Sequence, residues 1–189
     1  MDEDIKLMLE FKAGGRQAFD RLVDKYQKPI INFVYRFTGS RADAEDLAQE
    51  TFIKVYNAAA NYVPSAKFTT WLYRIASNIS IDYLRKRKTS GNPASLDEQL
   101  ETEDGKVQQR AADEKIRPVD SAMESEETEK QVQAALQSLP ENQRAAIILK
   151  IYEDRPYSEI AAMIGVSISS VESLLFRARQ ELKKKLAPR

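Results

Sequence analysis

Three short runs of this chain bring together side chains that can grip another molecule. In "KFTTWLYRIASN" (Lys67–Asn78) the only tryptophan, Trp71, heads a row that continues at helical spacing through Arg74, Asn78, Asp82 and Arg85. An aromatic ring, a guanidinium and an amide aligned in this way can stack on unpaired bases and hydrogen-bond to their edges. The row runs into Arg85, Lys86, Arg87 and Lys88, a dense patch for phosphates. The competing reading packs Trp71 under the Tyr62–Phe68 loop and leaves Arg74 and Asp82 as ordinary surface charges.

The second run is "DAEDLAQETFIKVY" (Asp43–Tyr56). Helical spacing turns Ala44, Leu47, Ala48, Thr51 and Val55 inward, and Asp46, Gln49, Glu50, Ile53 and Asn57 outward together. An isoleucine ringed by acids and amides has the make-up of a docking patch. An acidic surface with one stray isoleucine has the same composition.

The third is "YSEIAAMIGVSISSVESLLFRARQELKKK" (Tyr157–Lys185). A short helix stops at Gly165, a tight turn follows, and Ser167 is placed to cap a longer helix, which is helix-turn-helix spacing. Ala161 stands where the two helices must come close. Ile168, Val171, Leu175, Ala178 and Leu182 form the apolar stripe of the second helix. Ser169, Ser170, Ser173, Phe176, Arg177 and Gln180 form the opposite face, and small hydroxyls beside an arginine suit entry into a major groove. Phe176 reads as a base contact or as a scattered surface apolar residue; Lys183–Lys185 touch phosphates or solvate the helix end.

The elements that must carry these runs are helices. Periodicity predicts Asp2–Ala13, Arg16–Phe37, Ala42–Ala60 and Thr70–Arg87, then Glu126–Ser138, Glu141–Glu153, Tyr157–Ile164 and Ile168–Leu186. Pro29 predicts a kink or a split in the second. From Thr89 to about Ala122 the pattern fades into "TSGNPASLDEQLETEDG", turn-rich and acidic. The expected fold class is therefore all-α: two small helical domains, 1–90 and 123–189, joined by a flexible acidic linker over 91–122.

The 189 residues carry 29 basic and 29 acidic side chains, but unevenly. Residues 1–90 hold a net +4, residues 91–130 a net −7 and residues 131–189 a net +3, an asymmetry that points to partners or to a solvated linker. Cysteine and histidine are absent, which excludes zinc fingers, Cys or Ser–His nucleophiles and the usual transition-metal sites. No phosphate-binding glycine motif occurs. No catalytic residue, metal site or cofactor is expected. No apolar run reaches the roughly 20 residues that span a bilayer, and "MDEDIKLMLE" lacks the order of a signal peptide, so a cytoplasmic location without membrane insertion is expected.

Taken together, these segments resemble the extracytoplasmic-function sigma factors of bacterial RNA polymerase. "DAEDLAQETFIKVY" is similar to conserved region 2.2, "KFTTWLYRIASNISIDYLRKRK" to regions 2.3 and 2.4, and "LPENQRAAIILKIYEDRPYSEIAAMIGVSISSVESLLFRARQELKK" to region 4. The resemblance covers about residues 5–90 and 125–186, in order and at the family's spacing. It implies an alternative sigma factor of a stress or envelope response. Asp46, Gln49, Glu50, Ile53 and Asn57 would hold the clamp helices of the largest polymerase subunit, with the flap as a further contact. Tyr62, Lys67, Phe68, Trp71, Arg74, Asn78, Asp82, Arg85, Lys86, Arg87 and Lys88 would open and read the −10 element. Ser169, Ser170, Glu172, Ser173, Phe176, Arg177 and Gln180 would read the −35 duplex. Core polymerase, promoter DNA and an anti-sigma factor are the implied partners; no homo-oligomer is expected. Glu172 and Leu174 stand where many members are basic, and Pro156 replaces a common hydroxyl cap.

Two rivals predict different features. A dimeric repressor would bind a palindrome without polymerase. A nucleic-acid-processing enzyme needs convergent metal-binding carboxylates, and the sequence shows none beyond the patch around Asp46.

Overall fold

The computed structural model describes residues 2–91 and 125–187. The helices are α1 (Glu3–Lys12), α2 (Arg16–Thr38), α3 (Arg41–Ala58), α4 (Phe68–Gly91), α5 (Ser125–Gln137), α6 (Glu141–Ile151), α7 (Tyr157–Ile164) and α8 (Ile168–Leu186), with a 3-10 turn at Ala59–Asn61. Among the described residues there is no strand. The linker expected over 91–122 lies almost wholly outside them.

Three of the helices begin where a side chain accepts from a free backbone amide. Asp2 accepts from the Asp4 amide at 3.2 Å, Ser40 from Asp43 at 3.3 Å and Ser167 from Ser170 at 3.1 Å. Gly39 and Gly165 close α2 and α7 in the left-handed region, at φ 69° and 73°. Of the two outcomes expected at Pro29 the split does not occur: α2 runs through it as one helix. Pro29 faces solvent, where water can serve the Lys25 carbonyl that its missing N–H leaves free. The sixth helix stops at Ile151 rather than Glu153, because the chain turns at Asp154, φ 45°.

Helices α1–α4 form one bundle. Its core holds Met8, Leu22, Ile30, Phe33, Val34, Phe37, Phe68 and Leu72. Buried Asp4 pins α1 to α2, accepting from Lys25 Nζ at 2.6 Å and from the Tyr26 hydroxyl at 2.5 Å. Helices α5–α8 form the second unit around Leu136, Ile147, Ile148, Ile160, Met163, Val171 and Leu175.

The two units pack against each other. Helix α4 lies on α6 and α7, and α2 on α5 and α6, so that a single apolar cluster runs through both. Sequence periodicity predicted the two units but not this junction.

Candidate nucleic-acid interface

The α3 face forms as its spacing requires. Asp46, Gln49, Glu50, Ile53 and Asn57 are all exposed, Ile53 at 55%. Glu50 is bridged to Lys54 at 3.2 Å, and both ends stay in solvent. Beside Ile53 lies an open groove of about 540 Å3 between α2 and α3, lined by Phe19, Val23, Phe52 and Tyr56 with Asp20, Asp24 and Gln49. Sequence reasoning missed the α2 half of this groove. Phe19 and Val23 sit four residues apart, but only folding brings them opposite Ile53.

On α4, Arg74, Asn78, Asp82 and Arg85 are exposed along one side, and Lys86, Arg87 and Lys88 continue into solvent. Trp71 is half-buried. Its ring centroid lies 4.9 Å from that of Tyr62 and 6.0 Å from that of Phe68. The placement of Tyr62 and Phe68 on a base-contacting surface is corrected: Phe68 is fully buried and Tyr62 nearly so. Phe68 also packs on Tyr26, so together they form a floor under Trp71. The physical reason is the short 3-10 turn after α3, which swings Tyr62 back onto α4, where Lys12 Nζ donates to its carbonyl at 2.8 Å. Lys67 stays exposed at the edge of this floor.

In the helix-turn-helix, α7 and α8 meet at 96°. Ala161 is buried at their contact, as its small size demands. Ser169, Glu172, Phe176, Arg177 and Gln180 are exposed, and Ser170 and Ser173 partly so. Phe176 is 48% exposed on this face. One expected core position is corrected: Ile168 is 51% exposed, because the first residue of α8 projects past the end of α7 and finds nothing to pack on.

The junction contains side chains the sequence did not single out. The Tyr73 hydroxyl donates to Glu153 Oε2 at 2.6 Å, and the Arg155 guanidinium lies 4.9 Å from the Tyr73 ring centroid. Burial, reinforced by the Glu153 hydrogen bond, pushes the Tyr73 phenol well above its ordinary value. Buried Arg144 donates to Phe37 O at 2.7 Å, to Leu139 O at 3.1 Å and to Gln137 O. Burial lowers its pKa. Gln133 Nε2 donates to Tyr35 O at 3.2 Å and Arg36 O at 3.1 Å. These carbonyls lie in the last turn of α2, where Tyr35 O also accepts from the Gly39 amide at 2.8 Å. The left-handed turn at Gly39, φ 69°, favours glycine, and a Cβ there would also make the Gln137 amide, 1.5 Å away, swing aside.

An all-α chain with an exposed recognition helix at one end and a basic, aromatic-headed helix in a separate bundle is a two-unit DNA-binding transcription protein. Comparison with known proteins makes the class specific. Residues 22–89 match the Sigma-70 region 2 family and residues 129–182 the Sigma-70, region 4 family. The chain is 35% identical over 190 residues to the RNA polymerase sigma-H factor of Pseudomonas aeruginosa, covering 99% of this chain and 95% of that protein. It is 33% identical over 183 residues to the ECF RNA polymerase sigma factor SigW of Bacillus subtilis, covering 96% and 95%. Among solved structures it resembles the sigma factor RpoE of Bartonella quintana, crystallised with the anti-sigma factor NepR, at a TM-score of 0.63 and 24% identity over 90% of this chain and 98% of that one.

The chain belongs to the extracytoplasmic-function (ECF) sigma factors of RNA polymerase. It is an alternative sigma factor that directs promoter-specific initiation, and it is not an enzyme. Among the described residues no group of carboxylates is placed to hold a metal ion, and no single helix is long and apolar enough to cross a membrane.

Proposed function

We propose that the three exposed faces divide the work of initiation. The unit within residues 1–90 docks on the polymerase clamp helices through Asp46, Gln49, Glu50, Ile53 and Asn57, and the groove around Phe19 and Tyr56 widens that contact. Its α4 opens and reads the −10 element with Trp71, Arg74, Asn78, Asp82 and Arg85, while Lys67 and Lys86–Lys88 hold phosphates. Tyr62 and Phe68 act beneath them as the support that sets the height of the indole. The unit within residues 123–189 meets the flap and reads the −35 duplex with Ser169, Ser170, Glu172, Ser173, Phe176, Arg177 and Gln180.

The observation that carries this reading is the α8 face, where an arginine and a phenylalanine stand in solvent among hydroxyls and an amide. Such a face can combine phosphate positioning with recognition of base edges and of a thymine methyl. The same reading includes regulation by an anti-sigma factor, the kind of partner with which the RpoE structure was solved, and places the protein's action in the cytoplasm in a stress or envelope response.

Reconstitution with core polymerase tests the whole reading. The holoenzyme should initiate from a set of promoters sharing −35 and −10 sequences that core alone does not use. Initiation indistinguishable from that of core would overturn it, and binding to a palindrome as a stable dimer without polymerase would favour a repressor.

A further inference from the structure

Helix α1 carries no residue assigned to polymerase or to DNA, yet it is tied near both ends to the rings packed on Trp71. Near its start, buried Asp4 accepts from the Tyr26 hydroxyl at 2.5 Å. The Tyr26 ring lies 5.7 Å from that of Phe68, and Phe68 lies 6.0 Å from the indole, centroid to centroid. At its other end, Lys12 Nζ donates to the Tyr62 carbonyl at 2.8 Å, and the Tyr62 ring lies 4.9 Å from the indole. Two paths therefore lead from one helix to Trp71.

The helix that starts both paths is itself held fast. Leu7, Met8 and Phe11 are buried, and Phe11 packs on Phe19 and Tyr56 with centroids 4.7 and 5.0 Å away. A helix so anchored cannot slide or turn without opening a cavity, which a close-packed interior resists. Asp4 and Lys12 stand about 12 Å apart along it, at roughly 1.5 Å per residue, so one rigid body governs both paths. A buried carboxylate is a costly way to join two helices, since apolar contact does the same without desolvating a charge. What the carboxylate adds is direction: it fixes where the Tyr26 hydroxyl points, and with it the ring. Trp71 is partly exposed, so its placement depends on the rings beneath it.

We propose that α1 is a positioning strap for promoter opening: Asp4, through Tyr26 and Phe68, and Lys12, through Tyr62, set the height and tilt of Trp71. Both are positioning residues that act through the rings. A displacement of 1 Å at a reacting group can cost about a hundredfold in rate, so a small shift of this floor is enough to matter. The inference deepens the −10 reading of Trp71 and rests on it.

Tyr26→Phe with Lys12→Met, in the full-length chain, removes both hydrogen bonds and leaves a ring at every position. Trp71 is the only tryptophan, so indole emission reports its placement alone. The free double variant should keep its helix content by circular dichroism, while acrylamide quenches its indole more readily than in wild type. With core polymerase it should form the closed complex normally and open a duplex promoter at least about fivefold more slowly, the lower end of losing one stacked base. A pre-melted promoter should restore it. Each single variant should change in the same direction by less, which tests the strap if the double variant does not fold. Lys12→Arg keeps a donor and should behave as wild type. Lys25→Met removes the other hydrogen bond to Asp4, at 2.6 Å, but spares the link to Tyr26. It should leave quenching and opening unchanged even where the thermal midpoint falls. Wild-type quenching or wild-type opening in the folded double variant would overturn the strap. So would a Lys25→Met protein that opens as slowly as the double variant, since loosened attachment of α1 would then be the whole effect. Trp71→Ala separates the two failures. If it opens promoters as wild type does, the −10 reading fails and the strap with it; if it impairs opening and the double variant does not, the strap alone fails.

Discussion

The rings of Tyr62 and Trp71 pack with centroids 4.9 Å apart and planes inclined at 56°, and the Tyr62 hydroxyl is sealed from solvent without a hydrogen-bond partner. Burial raises the pKa of this phenol. An unsatisfied buried hydroxyl costs about 1–3 kcal/mol. Tyr62→Phe should therefore raise the stability of the free protein by about 1 kcal/mol in chemical denaturation, an increase seen with few buried substitutions. Lower stability would mean that the hydroxyl finds a partner in solution.

Trp71→Ala should impair promoter opening more than closed-complex formation. The indole is partly exposed, and stacking contributes about 1–3 kcal/mol per base. Permanganate footprinting on duplex and on pre-melted promoters reads the difference. A folded variant that the pre-melted template fails to rescue would sink the stacking role.

Ile53→Glu should leave the thermal midpoint of the free protein within a few degrees of wild type, because the side chain is 55% exposed and bounds an open groove. It should weaken assembly with core polymerase by about 2 kcal/mol or more, a typical hot-spot loss when a charge is buried without a partner. Unchanged co-purification with core would remove Ile53 from the interface.

Arg177 and Phe176 are neighbours on α8 with different expected signatures. Arg177→Ala should weaken −35 binding and reduce the salt slope by about one unit if it holds a phosphate. Phe176→Ala should leave the slope alone and relax discrimination at one base pair, because a ring senses a thymine methyl but neutralises no charge. Each should cost about 1–3 kcal/mol in titrations of full-length holoenzyme against single-base promoter variants. Wild-type affinity and preference in Phe176→Ala would return the ring to an ordinary surface residue.

Acid should loosen the junction at Glu141. Burial alone would raise its pKa, but the hydrogen bond from Lys88, its own backbone hydrogen bond and the charges of Lys88 and Arg85 together hold it below the ordinary carboxylate value. A carboxyl depressed in the folded state stabilises it above the unfolded value, near 4.3, and that contribution is lost as pH falls through the folded value. With Lys88 mostly in solvent the effect is small, about 0.2–1 kcal/mol. Denaturation midpoints of wild type and Glu141→Gln should differ at pH 7 and converge as the pH falls through the lowered Glu141 value. A constant difference would show that Glu141 acts through packing alone.

The sequence by itself determined the helices and their faces. Every apolar stripe and cap is a relation between residues a few positions apart, and that relation survives whatever else the chain does. The inward set of α3 (Ala44, Leu47, Ala48, Thr51 and Val55) is buried, as is Ala161 in the helix-turn-helix. The same local logic failed at Ile168, whose position in the stripe is right but which lies beyond the end of α7. Tyr62 and Phe68 looked free in a loop, and the turn at Ala59–Asn61 folded them inward. Only the tertiary structure decided which faces meet. Tyr73 with Glu153, Arg144 with Phe37 and Lys67 with Glu159 are 80, 107 and 92 residues apart. No periodicity links them: their pairing depends on how one packed unit seats against another, and that is settled by shape and by carbonyls left over at a helix end.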